Sequence, residues 1–343
     1  MKTFITLALA LLVSHSALAI DKIYFGSCAK EYKEMPIFDA IAKDNPDVFI
    51  FLGDNIYGDT EDMSVLKQKY DMLGKHQGFN KLKQTSELIA IWDDHDYGEN
   101  DAGKAYPQKH ASRKVMLDFW QEPKDSPRYQ LEGIYTSYMY GKANQKVQVI
   151  LPDLRWNRDK LHQVSKTDYL FKRIPNNMGP YKVSPDKGAS MLGEEQWQWL
   201  EAELLKPATI KIIGSSLQLL PEFTGWESWA NFPEDRNRLL NFIERHNISG
   251  VIFVSGDTHW GEVSKVNSDK GYGLWEVTSS GLSEKWKDVS PNQHRVGKYT
   301  NQVNYGFIEF DWQQSDPTIH FGLKNEIGDI THQHRLSLSQ LQF

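Results

Sequence analysis

Short unbroken apolar runs, rich in Val, Ile and Phe, recur along the chain, and each stops abruptly at a polar cluster. Residues 22–25 lead into Gly26-Ser27-Cys28, 48–52 into Gly53-Asp54, and 88–92 into Asp93-Asp94-His95-Asp96. Residues 147–151 lead into Pro152-Asp153, 210–213 into Gly214-Ser215-Ser216, and 250–254 into Ser255-Gly256-Asp257-Thr258-His259. Runs this short, without polar alternation, fit strands covered on both faces. Between them, 36–43, 64–73, 110–120, 194–205 and 234–246 carry apolar residues at three- and four-residue spacing, the period of one helix face. Strands alternating with helices imply crossover connections and a largely parallel sheet, whose ligands sit beyond the carboxyl ends of the strands. The polar clusters are therefore expected to converge there. After Gly271 the pattern changes, and 274–278, 307–312 and 318–323 read as meandering strands of a second sheet. Residues 156–190, rich in Pro, Asn, Lys and Gly, form a long irregular excursion and a candidate lid.

Composition narrows the class. With 40% hydrophobic and 24% charged residues the chain has the balance of an ordinary globular protein, unlike disordered or membrane-spanning chains. Residues 1–19 carry Lys2, an apolar run over 4–13 and the triplet Ala17-Leu18-Ala19, the pattern of a cleavable secretory signal. The run is too short to cross a hydrocarbon core of about 30 Å. The expected product is one domain, 20–343, in the periplasm or outside the cell. A net charge of −6 argues against a broad nucleic-acid-binding surface. Cys28 is the only cysteine, so no intramolecular disulfide can form, and its thiol is either buried and inert or occupied by a metal.

Three clusters carry candidate chemistry. In Gly53-Asp54-Asn55-Ile56-Tyr57, glycine permits a tight turn, the Asp54 carboxylate can bridge two cations, and Tyr57 can bind one of them as phenolate if that ion is hard and trivalent, such as ferric iron. An ordinary turn with a partly buried tyrosine is the alternative. The segment from Trp92 to Asp101 packs five carboxylates and His95 into ten residues, a density that needs cations or hydrogen bonds to compensate it. Asn100, within it, is either a ligand or a turn cap. Asp257 and His259, two residues apart, would reach the same side of an extended segment. Arg155 and Arg158 follow another strand and either grip phosphate oxygens or pair with Asp153 or Asp159. Trp156, Trp226, Trp229 and Trp260 either line a groove for a leaving group or pack in the core.

The ordered set Phe25-Gly26-Ser27-Cys28, Gly53-Asp54-Asn55-Ile56-Tyr57, Trp92-Asp93-Asp94-His95-Asp96, Asp153-Leu154-Arg155-Trp156-Asn157-Arg158, the segment from Trp229 to Arg236, and Ser255-Gly256-Asp257-Thr258-His259 resembles the PhoD-like phosphatase (alkaline phosphatase D) family of metallophosphoesterases. The resemblance implies a calcineurin-like α/β/β/α sandwich of two mixed sheets flanked by helices. It implies hydrolysis of small phosphomonoesters or phosphodiesters by a metal-bound hydroxide at a binuclear centre of Fe3+ with Ca2+ or another divalent ion. By position, Cys28, Tyr57 and His259 would hold the iron, Asp54 would bridge, and Asp257 with Asn100 or Asp94 would hold the second metal. His95 stands where such enzymes keep a histidine near the substrate phosphate, and Arg155 or Arg158 would offset charge on it. The additional amino-terminal β domain of many members has no counterpart between residue 20 and Cys28. Gly214-Ser215-Ser216-Leu217-Gln218 offers no histidine where related enzymes place a ligand. A phospholipase-D-like phosphodiesterase and a noncatalytic exported metal- or phosphate-binding protein are the rival readings.

Overall fold

The strands Val48–Leu52, Val147–Leu151 and Val251–Ser255 are buried at every position, as their uninterrupted apolar composition requires. The computed structural model describes residues 19–268 and 270–343, so the secretory-signal reading lies almost wholly outside the described residues. The strands that end in polar clusters do not form one sheet. They divide between two six-stranded mixed sheets.

In the first sheet, Lys22–Gly26, Val48–Leu52 and Glu87–Ile91 run parallel. Three antiparallel strands, Asn304–Asp311, Thr318–Asn325 and Ile330–Ser337, complete it beyond Lys22–Gly26. The carboxyl-terminal meander thus finishes the sheet that the amino-terminal strands begin, instead of making a separate one. In the second sheet, Val147–Leu151, Ile210–Ser215, Val251–Ser255 and Leu274–Ser279 run parallel between antiparallel edges at Thr136–Tyr140 and Gly261–Val266. Periodicity shows that a strand is covered on both faces and says nothing about which strand it pairs with, so the split was invisible in sequence.

The two sheets pack closely. A Cβ at Gly214 would lie 3.1 Å from Leu52 Cδ2 of the other sheet and 2.5 Å from Leu151 Cδ2, so a side chain here would have to displace leucines at this crossing point. Ile37–Asp44, Met63–Lys75, Lys109–Phe119, Gly193–Leu204 and Pro233–Arg245 are the helices that the three- and four-residue spacing marks. Asp62 caps the second of them, its carboxylate accepting from Ser64 N. A further helix, Gln77–Thr85, escapes a pattern search because its buried face holds only Gly78, Phe79 and Leu82. Two sheets flanked by helices are the predicted α/β/β/α sandwich. No helix among the described residues is long and apolar enough to cross a membrane.

The parallel strands of both sheets deliver their carboxyl ends to one region. Backbone bonds lace those ends together: Cys28 N to Gly53 O at 3.3 Å, Ala29 N to Asp54 O at 2.9 Å, Gly256 N to Ser216 O at 3.1 Å, and Ser283 N to Cys28 O at 3.1 Å.

Candidate metal centre

Each loop that leaves these strands turns sharply. Cys28, Asp54, Asp257 and His259 all adopt left-handed backbone, with φ of 63°, 50°, 70° and 61°. Non-glycine residues rarely accept this conformation, and those that do concentrate where function demands it. Asp257 and His259 therefore do not sit on an extended segment, as their spacing suggested. Gly53, at φ 98°, lies so near Asp93 that a Cβ there would come within 2.4 Å of Asp93 Cβ.

The turns gather side chains far apart in sequence. One ligand atom from each of Cys28, Asp54 and His259 lies within 4.8 Å of the others. The same holds for Asp54, Asp94 and His95, for Asp93, Asp94 and Asp257, and for Asp94, Asp101 and Glu227. Tyr57 Oη stands 3.1 Å from His259 Nε2, and Cys28 Sγ 3.5 Å from Asp54 Oδ2. Asp54 belongs to two of these groups and Asp94 to three, so the groups form one continuous cluster. Asp54, Asp94, His95, Asn100, Asp257 and His259 open onto a shared cavity of about 180 Å³. Asn100 is exposed at its rim.

Withdrawn from water, these groups hold protons unusually. Burial, with Cys28, Asp94, Asp93 and Asp96 nearby, pushes the Asp54 carboxyl well above the usual range. Burial and the surrounding carboxylates do the same to Asp257. The Cys28 thiol is pushed up to about 12 by burial, and the His259 imidazole is brought down to about 4 by burial. Burial opposes a charge on His95, but Asp94 and the hydrogen bond to Asp59 outweigh it and hold the imidazole at about 9. That bond joins His95 Nδ1 to Asp59 Oδ1 at 2.7 Å. Asp94, despite burial, is kept below the carboxylate range by Arg155 and His95.

The residues present fit cations. Asp54 Oδ1, Asp93 Oδ2 and Asp94 Oδ1 are buried without a hydrogen-bond partner among the described residues, an arrangement that is costly unless something else supplies positive charge. Thiol, phenol and imidazole stand at one end of the cluster and oxygen donors alone at the other.

Arg155 and Arg158 occupy other places than expected. Arg155 is fully buried, with Nε donating to Asp93 Oδ1 at 2.5 Å and Nη1 to Glu227 Oε2 at 2.6 Å. Its guanidinium thus pairs with neither Asp153 nor Asp159, although its backbone N donates to Asp153 Oδ1 at 2.8 Å, and it does not line the cavity. Arg158 is also buried, 3.2 Å from Glu227 Oε1 and donating to Asp101 O, and it borders a separate cavity of about 460 Å³. Trp226 and Trp260 line the metal cavity. Trp156 stacks on Trp92 at 6.4 Å, and Trp229 donates its indole N–H to Ser215 Oγ, so both are core residues.

Sequence reasoning missed several participants. Glu227, the acid that receives both arginines, follows Trp226 in a segment without a motif, and only its place beside an aromatic pair marks it. Asp59 follows the Gly53 motif by a few residues. Asp96 reads as another ligand candidate, yet its carboxylate is spent internally, accepting from Asp93 N, Asp54 N, Asn55 Nδ2 and Tyr70 Oη. Trp286, 5.3 Å from Trp226 by ring centroids, completes the cavity rim.

Comparison with known proteins places this arrangement. The family model described as PhoD-like phosphatase matches residues 23–321. Alkaline phosphatase D of Bacillus subtilis (strain 168) is 24% identical over 304 residues, covering 75% of this chain and 48% of the relative. The chain therefore spans about half the length of that curated relative. Among solved structures, one described as the structure of PhoD superposes with a TM-score of 0.66 at 16% identity, covering 94% of this chain and 72% of its own. A dimetal phosphatase from Danio rerio superposes with a TM-score of 0.52 at 13% identity, covering 93% and 99%. GAP50, described as the anchor in the inner membrane complex of Plasmodium, shares the fold at a TM-score of 0.57 and 11% identity, covering 93% and 89%.

The Arg155 network yields a direct expectation. In Arg155→Met, Asp93 and Glu227 lose their buried counter-charge, and urea unfolding should register a loss of about 3–5 kcal/mol. A loss below about 1 kcal/mol, the scale of an exposed pair, would contradict the buried role.

Proposed function

Because the chain belongs to the PhoD-like phosphatase family, we propose that residues 20–343 form an exported hydrolase that cleaves small phosphate esters at a binuclear metal centre. The observation that carries this reading is the meeting of Asp54, Asp94, Asp257 and His259 around one cavity, with Cys28 buried behind it within ligand distance of Asp54 and His259 and with buried carboxylate oxygens left unpaired. Cys28, Tyr57 and His259 would hold a ferric ion and Asp54 would stand between the sites. Asp94 and Asp257, with Asn100 at the rim, would hold calcium or another divalent ion. When bound, the cations supply the Lewis-acid charge that activates water and offsets the charge of the phosphoryl group.

The chain's own residues supply the rest. Asp59 engages His95 Nδ1 and leaves Nε2 as the N–H available to the cavity, so a protonated His95 can donate to a non-bridging or leaving oxygen. Arg155 and Arg158 act at one remove: held by Asp93 and Glu227, they fix the acidic loops instead of gripping the ester. Trp226, Trp260 and Trp286 give the cavity an apolar rim on which a leaving group can rest. A cavity of about 180 Å³ suits the phosphoryl end of a small ester.

Three measurements address this reading. On a panel of soluble mono- and diesters, His95→Ala should lower turnover by about 10²–10⁴-fold with metal content retained, and Asp54→Asn should abolish it. Wild-type turnover in either variant contradicts the assignment, and a preference for phosphatidylcholine over nitrophenyl esters would select a phospholipase-D-like activity. Elemental analysis should find iron with a divalent ion, accompanied by a visible charge-transfer band that Cys28→Ser and Tyr57→Phe each shift; a colourless, loaded, active protein excludes ferric iron on these ligands. In an exporting bacterial host the mature chain should start near Ile20, outside the cytoplasm. A cytoplasmic chain of full mass opposes export.

A further inference from the structure

The excursion between the strand Val147–Leu151 and the helix Gly193–Leu204 is tied down at its base and bare at its tip. At the base, His162–Gln163 pairs antiparallel with Tyr181–Lys182. Gly179 N donates to Thr224 O at 3.1 Å, Tyr181 N to Gly225 O at 2.8 Å, and Ser290 Oγ to Asn177 O at 2.7 Å. These ties set Pro180 and Tyr181 into the wall of the metal cavity.

The tip is a run of helical turns, Lys166–Asp168, Tyr169–Arg173 and Ile174–Asn176, opened by Ser165, whose side chain accepts from Asp168 N. Leu170, Phe171 and Ile174 stand on it 55%, 75% and 48% exposed, and no other five-residue stretch of the described residues presents three large apolar side chains in this way. Around them the chain is cationic. Residues 160–187 hold six Lys or Arg against two Asp, in a protein whose net charge is −6. Lys160, Lys166, Lys182 and Lys187 are exposed and have no ion-pair partner among the described residues. Only Lys172 is paired, with Asp168.

Apolar side chains interleaved with Lys166, Lys172 and Arg173 on the tip, above further exposed lysines at the base, are the chemistry of an interfacial anchor. The apolar groups enter the headgroup boundary while the ammonium groups stay in water beside lipid phosphates. A projecting tip without a groove does not suit a peptide. Leu170 and Ile174 have no stacking role on a nucleic acid. A second copy of this chain would need about 800 Å² buried on each partner, more than a tip of three apolar side chains supplies. We infer that Leu170, Phe171 and Ile174, with the cationic residues of the same excursion, dock this protein reversibly on an anionic phospholipid surface, with the mouth of the metal cavity beside the bilayer.

Flotation of the purified protein with phosphatidylglycerol vesicles, and with phosphatidylcholine vesicles for comparison, tests this without any hydrolysis, so it stands or falls apart from the proposed activity. Binding should favour phosphatidylglycerol and weaken as salt rises. The variant Leu170→Ser/Phe171→Ser/Ile174→Ser should bind these vesicles more weakly by roughly tenfold at least, since each buried methylene contributes to insertion. Lys166→Glu/Lys182→Glu should remove the preference for the anionic lipid. Both variants change exposed positions only, and unchanged circular dichroism and metal content would show that they fold. No binding to phosphatidylglycerol vesicles, or binding that survives the apolar variant, overturns the inference. So does a concentration-dependent dimer, seen by sedimentation, that the apolar variant abolishes.

Discussion

Carboxylates repel one another more strongly as water is withdrawn, and this fold buries Asp54, Asp93, Asp94 and Glu227 and half-buries Asp257 within a single cluster. The guanidinium of Arg155, set among Asp93, Asp94 and Glu227, compensates part of that charge. The remainder is visible in the unpaired oxygens of Asp54, Asp93 and Asp94, and in the raised proton affinity that burial gives Asp54 and Asp257. A cluster with this imbalance is costly as a structural feature alone. It is coherent as a site completed by cations, and the loops, their backbone bonds and the buried arginines make sense as the frame that keeps it assembled.

That frame works through backbone conformation as much as through side chains. Left-handed φ at Cys28, Asp54, Asp257 and His259 turns each loop soon after its strand, so that donors from two different sheets meet in one cluster. The cost of each such residue is about 1–3 kcal/mol and must be met by the surrounding packing. Strands such as Val48–Leu52 and Val251–Ser255, buried at every position, supply it. Asp96 contributes differently: by accepting from the backbone of Asp54 and Asp93 it locks two site loops together and leaves the cavity to others.

Much of this was legible in the sequence. The strands that carry Cys28, Asp54, Asp94 and Asp257 announce themselves as apolar runs that stop at polar residues, because burial on both faces leaves no other composition. Their division between two sheets was not legible, since pairing partners depend on the path of the chain and not on local pattern. Asp54, His259 and Cys28 stood out by type and position. Arg155 read equally as a phosphate grip or as the partner of a carboxylate, because the two look alike in sequence, and its burial against Asp93 and Glu227 is visible only in the fold. Glu227 has no motif beyond its neighbouring tryptophans, and the Thr224–Gly225 turn before it is tied to the 156–190 excursion.

The central claim, that cations complete the buried carboxylate cluster, is tested most directly by following proton release and thermal stability while chelator-stripped protein is titrated with metal. Folded carboxyls raised above their unfolded values stabilise the metal-free chain at acidic pH and cease to do so as pH rises through those raised values. Stripped protein should therefore weaken with rising pH, and added cations should expel protons and restore the melting temperature, most strongly at alkaline pH. Metal that binds without releasing protons or raising the melting temperature would contradict the account.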